Sequence, residues 1–336
     1  MDYPLIYAAD SNLDAVTRAS LARRCRAGEL VRLRRGIYVE TLWWKRQPLW
    51  EQRRARIGAV LSQSGAGRTA AERSAAVVWG IPVIGSPPEV TLLALPPTHG
   101  RRRGGVHWIE RPLLEPIVLH DGMNVTSRAQ TVLDMAAHLA FEHAVPAADH
   151  VLRTDPVNLL PALSREGLMG LAYRLPSGAR RSRALTVLRF ADARADSPGE
   201  SVSRAVMHRM GFPPPELQHV FDTPDGRFRT DFFWREYNIV GEFDGAVKYA
   251  AGNAGFPGQA QPQDGAWGGP VAPQGREGWD VVLKEKRRED AIRALGVKFV
   301  RWSWADVGRP RTDPQSLVQR LSRAGLPHHQ RPALLL

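Results

Sequence analysis

The segment NIVGEFDG (238–245) constrains this chain more than any other: an apolar run of strand character is interrupted by Glu242 and Asp244. Side chains two positions apart on a strand share a face, so the two carboxylates stand together. Paired acids on a central strand repel each other and lose hydration. They persist only beside something positive, such as an arginine, a lysine or a divalent metal. Asp231 lies in a second strand-like run, RFRTDFFW (227–234). Antiparallel pairing of the two strands brings a third carboxylate to the same place. An all-oxygen cluster of this kind suits Mg²⁺ or Mn²⁺ rather than zinc.

The flanking pattern is equally ordered. SPGESVSRAVMHRMGF (197–212) opens as a helix, with Ser197 at the N-cap, Pro198 at N1 and Glu200 at N3, a capping-box arrangement. ELQHVF (216–221) reads as a strand and TPDG (223–226) as a turn. VVLKEKRREDAIRALG (281–296) reads as a helix, and VKFVRWSWADV (297–307) as a strand running into a last turn. Strand period puts Trp302 and Trp304 on one face, in the core, with Arg301 and Ser303 on the other. The order α-β-β-β-α-β predicts a mixed sheet flanked by helices. Residues 250–280 hold 8 Gly and 4 Pro among 31. Such a stretch buries little apolar surface and reads as a flexible insertion.

The spacing D-x10-E-x-D after a helix bearing Glu200 resembles the PD-(D/E)XK nuclease superfamily, and within it the small domains related to the very short patch repair endonuclease. Asp231, Glu242-Phe243-Asp244-Gly245, Lys248, the EKRRED helix and RWSW follow that order. The resemblance covers about residues 197–307. It implies a restriction-endonuclease-like α/β sandwich that cuts a phosphodiester with Mg²⁺ or Mn²⁺. Asp231, Glu242 and Asp244 are the implied metal ligands, and Glu200 and a lysine complete the implied catalytic set. The superfamily carries a lysine two residues after the glutamate; here that position is Asp244. Lys248, Lys284 and Lys286 are the candidates to replace it. The chain has 41 Arg and only 5 Lys, yet three of its lysines, Lys248, Lys284 and Lys286, fall in one short stretch. Plainer roles exist for each residue: capping for Glu200, pairing with Arg227 or Arg229 for Asp231, an ordinary surface position for Lys248. Lys286 and Arg288 can meet phosphates, while Glu289 and Arg293 have the spacing of a helical surface pair.

Charge points the same way. Of 336 residues, 46 are Lys or Arg and 34 are Asp or Glu, a formal net charge of +12 that favours a polyanionic partner. Residues 1–56 hold 12 basic and 6 acidic side chains, which is half of that excess. RASLARRCRA (18–27) reads as a helix capped by Thr17 and stopped at Gly28, with Leu21 and Cys25 inward and Arg18, Arg23, Arg24 and Arg26 outward. LVRLRRGIYVE (30–40) reads as a hairpin turning at Gly36 and carrying Arg32, Arg34 and Arg35. A basic helix followed by a basic wing suits a winged helix-turn-helix on double-stranded DNA. LARRCRAGELVRLRRGIYV, RTAAERSAAVVWGIP (68–82), EVTLLALP (89–96) and NVTSRAQTVLDMAA (124–137) together resemble AbiEi-type antitoxins over about residues 1–155. In that family the winged helix binds operator DNA and a separate C-terminal domain neutralises a nucleotidyltransferase toxin. In the middle region, Thr126 or Ser127 can cap a helix, and Asp134 reads as a structural acid.

The single cysteine, Cys25, excludes an internal disulfide, and no run approaches a membrane span. The opening residues lack the basic-then-apolar pattern of a signal peptide, so the expectation is a cytoplasmic protein without a membrane partner. The expected class is α+β, in four parts: a winged helix at 1–56, an AbiEi-like α/β region and helical connector at 57–196, a nuclease-like domain at 197–310, and a tail at 311–336. The leading functional expectation is a Mg²⁺-dependent DNA endonuclease. The alternative is a non-catalytic DNA-binding regulator or antitoxin-like protein with a degenerate nuclease fold, or a module that binds a toxin partner.

Overall fold

The computed structural model describes residues 3–8, 15–63, 67–85, 87–94, 99–245 and 276–328. The fold is mixed α/β and divides into two compact units, Met1–His138 with Glu166–Ala184, and Leu139–Arg165 with Leu185–Leu336. The stretch 57–196 contributes to both. No helix among the described residues is long and apolar enough to cross a membrane.

The first unit opens with β1 (Ile6–Tyr7), α1 (Ala15–Arg26), β2 (Leu30–Arg34) and β3 (Ile37–Glu40). Helix α1 begins before Thr17, which is therefore inside the helix and not its cap. At the other end Gly28 takes φ +79°, and Gly36 takes φ +77° between β2 and β3. Both angles lie in the left-handed region where glycine is strain-free. The strands pair in the order β1-β3-β2, and Leu21, Leu30 and Tyr38 bury one face together with Cys25. Next come α2 (Thr41–Arg46), α3 (Leu49–Leu61) and α4 (Glu72–Trp79). They are followed by β4 (Val90–Leu93), β5 (Arg101–Arg103), β6 (Val106–Ile109), β7 (Ile117–His120), β8 (Met123–Thr126) and α5 (Arg128–His138). A three-stranded sheet runs β4-β6-β5 and a two-stranded one joins β7 to β8. Ser127 caps α5 by accepting the Gln130 amide at 3.1 Å.

Two residues of α5 give this unit an opposed pH response. Burial pushes the Asp134 carboxyl up to about 7, and pushes His138 down to about 4. Asp134 accepts from Gln130 Nε2 at 2.9 Å. The unfolded carboxyl loses its proton near pH ~4, so the Asp134 contribution is complete below that and is lost as pH rises towards 7. His138 runs the other way: its contribution is complete above its unfolded pKa of ~6.5 and is lost as pH falls towards 4. The two partly cancel in the wild type. Asp134→Asn keeps the acceptor and removes the titration. Relative to wild type the variant should gain about 2 kcal/mol between pH 5 and 7, read by urea unfolding at each pH. A constant difference between variant and wild type across that range contradicts the burial of a protonated Asp134.

The second unit starts with α6 (Phe141–Val151). α7 (Arg165–Tyr173) and α8 (Gly178–Phe190) follow in the chain, and then α9 (Pro198–Arg209). Arg204 of α9 donates Nη2 to both oxygens of buried Asp149 on α6 at 2.9 and 2.8 Å, which ties these two helices together. The sheet follows: β9 (Glu216–Thr223), β10 (Gly226–Trp234), β11 (Ile239–Asp244), then α10 (Arg276–Arg293) and β12 (Lys298–Ser303). Its order is β12-β11-β10-β9, antiparallel except for the β11–β12 pair. The chain ends in α11 (Trp304–Gly308) and α12 (Leu317–Ala324). One face of the sheet buries Phe232, Trp234, Phe243 and Trp302 with Met207 of α9 and Leu317 and Leu321 of α12. The other buries Phe221, Phe233 and Val240 with Ile292 of α10.

Two boundaries differ from those read in the sequence. Helix α10 begins at Arg276, inside the stretch read as an insertion, while residues 246–275 lie outside the described residues. The last strand stops at Ser303, where the Ser303 and Asp306 side chains form a capping box, so Trp304 opens a helix and does not continue the strand.

Candidate functional site

The acids of the C-terminal unit gather where β10 and β11 part. Their ladder pairs Trp234 with Ile239, Phe233 with Val240 and Phe232 with Gly241. One step further the backbone pairing stops. The Asp231 side chain takes its place and accepts the Phe243 amide at 2.9 Å. Asp231 therefore stands at the fork beside Glu242, close enough that its charge pushes the Glu242 carboxyl upward. Arg227 and Arg229, its alternative partners, pair instead with Asp222 and Asp196.

Glu242 is 4 % exposed. It shares its sheet face with Val240, beneath α10, where Ile292 packs on Val240. Arg288 lies one helical turn before Ile292 and so points to the same face. It holds Glu242 with both of its terminal nitrogens: Nη1 donates to Oε2 at 3.1 Å and Nη2 donates to Oε1. Nη2 also donates to the Arg229 carbonyl at 2.7 Å. Arg301, directly opposite Glu242 on β12, stands 3.5 Å from Glu242 Oε2 and 3.7 Å from Asp244 Oδ2. It is braced by Glu289 at 3.0 Å, and Glu289 in turn meets Arg293 at 2.6 Å. Burial, with the Asp231 charge, raises the Glu242 carboxyl above its ordinary range, and Arg288 and Arg301 offset only part of that rise. The physical demand of mid-strand acids for positive charge is thus met by two guanidinium groups.

Glu200 belongs to the same neighbourhood through Gln218. Ser197 Oγ accepts the Glu200 amide at 3.2 Å, but the Glu200 carboxylate reaches past the N-cap to the Asp196 amide at 2.9 Å. Its Oε2 also accepts Gln218 Nε2 at 2.8 Å. Burial raises its pKa. Gln218 is unusual in itself. It sits mid-strand at φ +56°, a left-handed conformation that a residue with a Cβ rarely adopts, where the β9–β10 register skips from Thr230–His219 to Phe232–Leu217. Strain of this kind concentrates at functional sites. It also changes the side each strand presents: Leu217 packs with Phe232, whereas Phe221 and Phe228 pack with Phe233.

The structure therefore places Asp231 and Glu242 at one fork, with Asp244 reached through Arg301, while Glu200 is held by Gln218 of β9. Lys248 lies outside the described residues, as does the Lys284 side chain; Lys286 is exposed on α10. Arg288, read in the sequence as a phosphate contact, is a partner of Glu242 because helix period points it at the sheet. Sequence reasoning missed Gln218 and the roles of Arg288 and Arg301. The spacing of Arg288 four residues before the buried Ile292, and of Arg301 two after Phe299, carried that signal.

The nuclease resemblance implies a divalent ion at this fork. The donors are chemically apt, being all carboxylate oxygens. Several of these oxygens, however, already have partners: both Glu242 oxygens hold Arg288, one of them also faces Arg301, and Asp231 Oδ2 accepts the Phe243 amide. Among the described residues no group of three or more His, Cys, Asp or Glu is placed to hold a metal ion. As arranged, the Glu242 carboxylate is taken up by guanidinium groups rather than left open to Mg²⁺ or Mn²⁺.

The N-terminal arginines differ in freedom. Arg23, Arg26, Arg32 and Arg35 are exposed. Arg24 pairs with Glu29 at 3.0 Å. Arg34 donates Nε to Gln63 and Nη1 to the Gly104 carbonyl at 3.4 Å. The Arg18 side chain lies outside the described residues.

No protein-family model matches the chain. It is 29% identical over 141 residues to the uncharacterized proteins Rv2248 and MT2308 of two Mycobacterium tuberculosis strains, a match covering 40% of this chain and 47% of each relative. The chain thus spans about half the length of the curated relatives it matches. The crystal structure of the RV2827C protein from Mycobacterium tuberculosis aligns over 66% of this chain and 84% of that one, at 14% identity and a TM-score of 0.35. A likeness that weak carries no argument.

Proposed function

We propose that this chain is a duplex-DNA-binding regulator whose C-terminal unit keeps a nuclease-like order of elements around a centre neutralised by arginine. The exposed arginines of α1 and the β2–β3 hairpin, in a chain of net charge +12, carry the DNA-binding half of this reading. A duplex presents phosphates along both strands, and each one neutralised releases counterions. Arg32→Gln/Arg35→Gln should weaken duplex binding and reduce the steepness of its salt dependence by about 1 for each phosphate left without its arginine. Fluorescence anisotropy on a mixed-sequence duplex across a NaCl series reads both quantities. Wild-type affinity and slope in the variant remove the hairpin from the interface.

The double guanidinium hold on Glu242 supports the non-catalytic half. A second reading, a Mg²⁺-dependent endonuclease, draws on the α-β-β-β-α-β order and on the three carboxylates at the fork. Incubating plasmid DNA with the protein and Mg²⁺ separates the two. Nicking that disappears in Glu242→Ala favours the endonuclease, while intact plasmid alongside retained DNA binding favours the regulator.

A further inference from the structure

A second basic element lies in the first unit, outside the helix and hairpin already described. Strand β5 is three consecutive arginines, Arg101, Arg102 and Arg103, all exposed. It forms the edge of its sheet, in the order β4-β6-β5. The turn into β6 is made by Gly104 and Gly105 at φ +58° and +74°, the paired left-handed angles of a tight two-residue hairpin. Edge strands often carry a charge to block unwanted pairing. Three adjacent arginines go beyond the single charge that such blocking needs.

The two sides of β5 are not equivalent. Arg102 is spoken for by Glu89, 3.0 Å away. Arg101 and Arg103 share the opposite side by strand period. The Arg101 guanidinium lies over the Trp108 ring, 4.7 Å from its centroid, which orders it in advance of any ligand. The hairpin tip also touches the first basic hairpin: Arg34 Nη1 donates to the Gly104 carbonyl at 3.4 Å, while Gln63 holds the β2–β3 turn by accepting from Arg34 Nε and donating to the Arg35 carbonyl. Arg68 lies close enough to Arg34 to act electrostatically on it. The β2–β3 and β5–β6 hairpins therefore meet at Arg34 and Gly104.

We infer that the β5–β6 hairpin is a second phosphate-contacting element of the DNA interface, with Arg101 and Arg103 as its contacts. The inference rests on the DNA-binding reading above and extends it to residues that the helix-and-wing pattern does not include. Both hairpins present guanidinium groups to one duplex backbone, without base-specific readout from β5.

The test uses the full chain, a mixed-sequence duplex and a NaCl series. Arg101→Gln/Arg103→Gln should lower affinity and reduce the salt slope by about 2, roughly 0.9 for each phosphate released. Arg101→Lys/Arg103→Lys should restore most of the slope, which separates a missing charge from a misfolded hairpin. A Gln variant with wild-type slope, while Arg32→Gln/Arg35→Gln shows a reduced one, overturns this inference and leaves the DNA-binding reading standing. A wild-type chain that shows no salt-dependent duplex binding overturns both. Tighter binding of polyglutamate than of duplex assigns the surface to an acidic protein and also overturns the inference.

Discussion

Gly199→Ala is expected to destabilise the C-terminal unit by about 2–3 kcal/mol, although alanine is the better helix former. Gly199 is the second residue of α9, and a Cβ there would come within 2.0 Å of the Phe243 ring. Replacing glycine by alanine within a helix normally gains about 1 kcal/mol. Overpacking a buried contact costs about 1–3 kcal/mol, and more where the neighbours cannot yield. Phe243 is itself 6 % exposed and is packed edge-on against Trp304 at 5.1 Å between centroids, so it has little room to turn. The clash wins. Helix α9 must lift from β11, and it takes Glu200 with it, away from Gln218. Urea unfolding gives the loss in stability. Wild-type or greater stability in the variant shows that the close approach of α9 to the sheet is not rigid. Gly241 sets a comparable limit two positions before Phe243, since a Cβ there would meet Trp302 at 2.6 Å and Trp234 at 2.9 Å.

Much of this frame is legible in the amino-acid order. Ser197, Pro198 and Glu200 mark the start of α9, and the alternating runs after it give three strands. Glu242 and Asp244 reach the same guanidinium, as their spacing requires. What the residues do not reveal is the break in alternation at Gln218 and Asp231. A period of two assumes extended backbone throughout, and a left-handed residue mid-strand interrupts it without any glycine to announce it. The identity of the counter-charge is hidden for a different reason. Local sequence demands something positive near Glu242, but Arg288 arrives from 46 positions away and Arg301 from the neighbouring parallel strand. Only pairing and helix packing choose an arginine over a lysine or an ion. At the N-terminus, Thr17 has the right residue type for a cap, yet α1 extends past it.

Glu242→Gln is the other substitution with a large expected effect. Its side chain is 5 % exposed, against 18 % for Arg288 and 25 % for Arg301. Removing one partner of a buried ion pair strands the other charge and costs about 3–5 kcal/mol. Here the arginines keep some contact with water, so a loss of about 2–4 kcal/mol is expected. Glu242→Met/Arg288→Met removes both charges together and should recover much of that loss, because apolar replacement of a buried pair is often neutral. An open seat lined by uncompensated acids responds with the opposite sign: neutralising one acid relieves repulsion and stabilises the protein.

That difference in sign makes the decisive measurement simple. Unfolding free energies of the wild type and Glu242→Gln are measured by urea titration in EDTA and again in millimolar Mg²⁺. A centre already neutralised by Arg288 and Arg301 predicts that Glu242→Gln is the less stable protein in both buffers, and that Mg²⁺ leaves the wild-type midpoint where it was. A variant more stable than the wild type in EDTA, with a wild type that Mg²⁺ stabilises through binding to the folded state, would contradict the account.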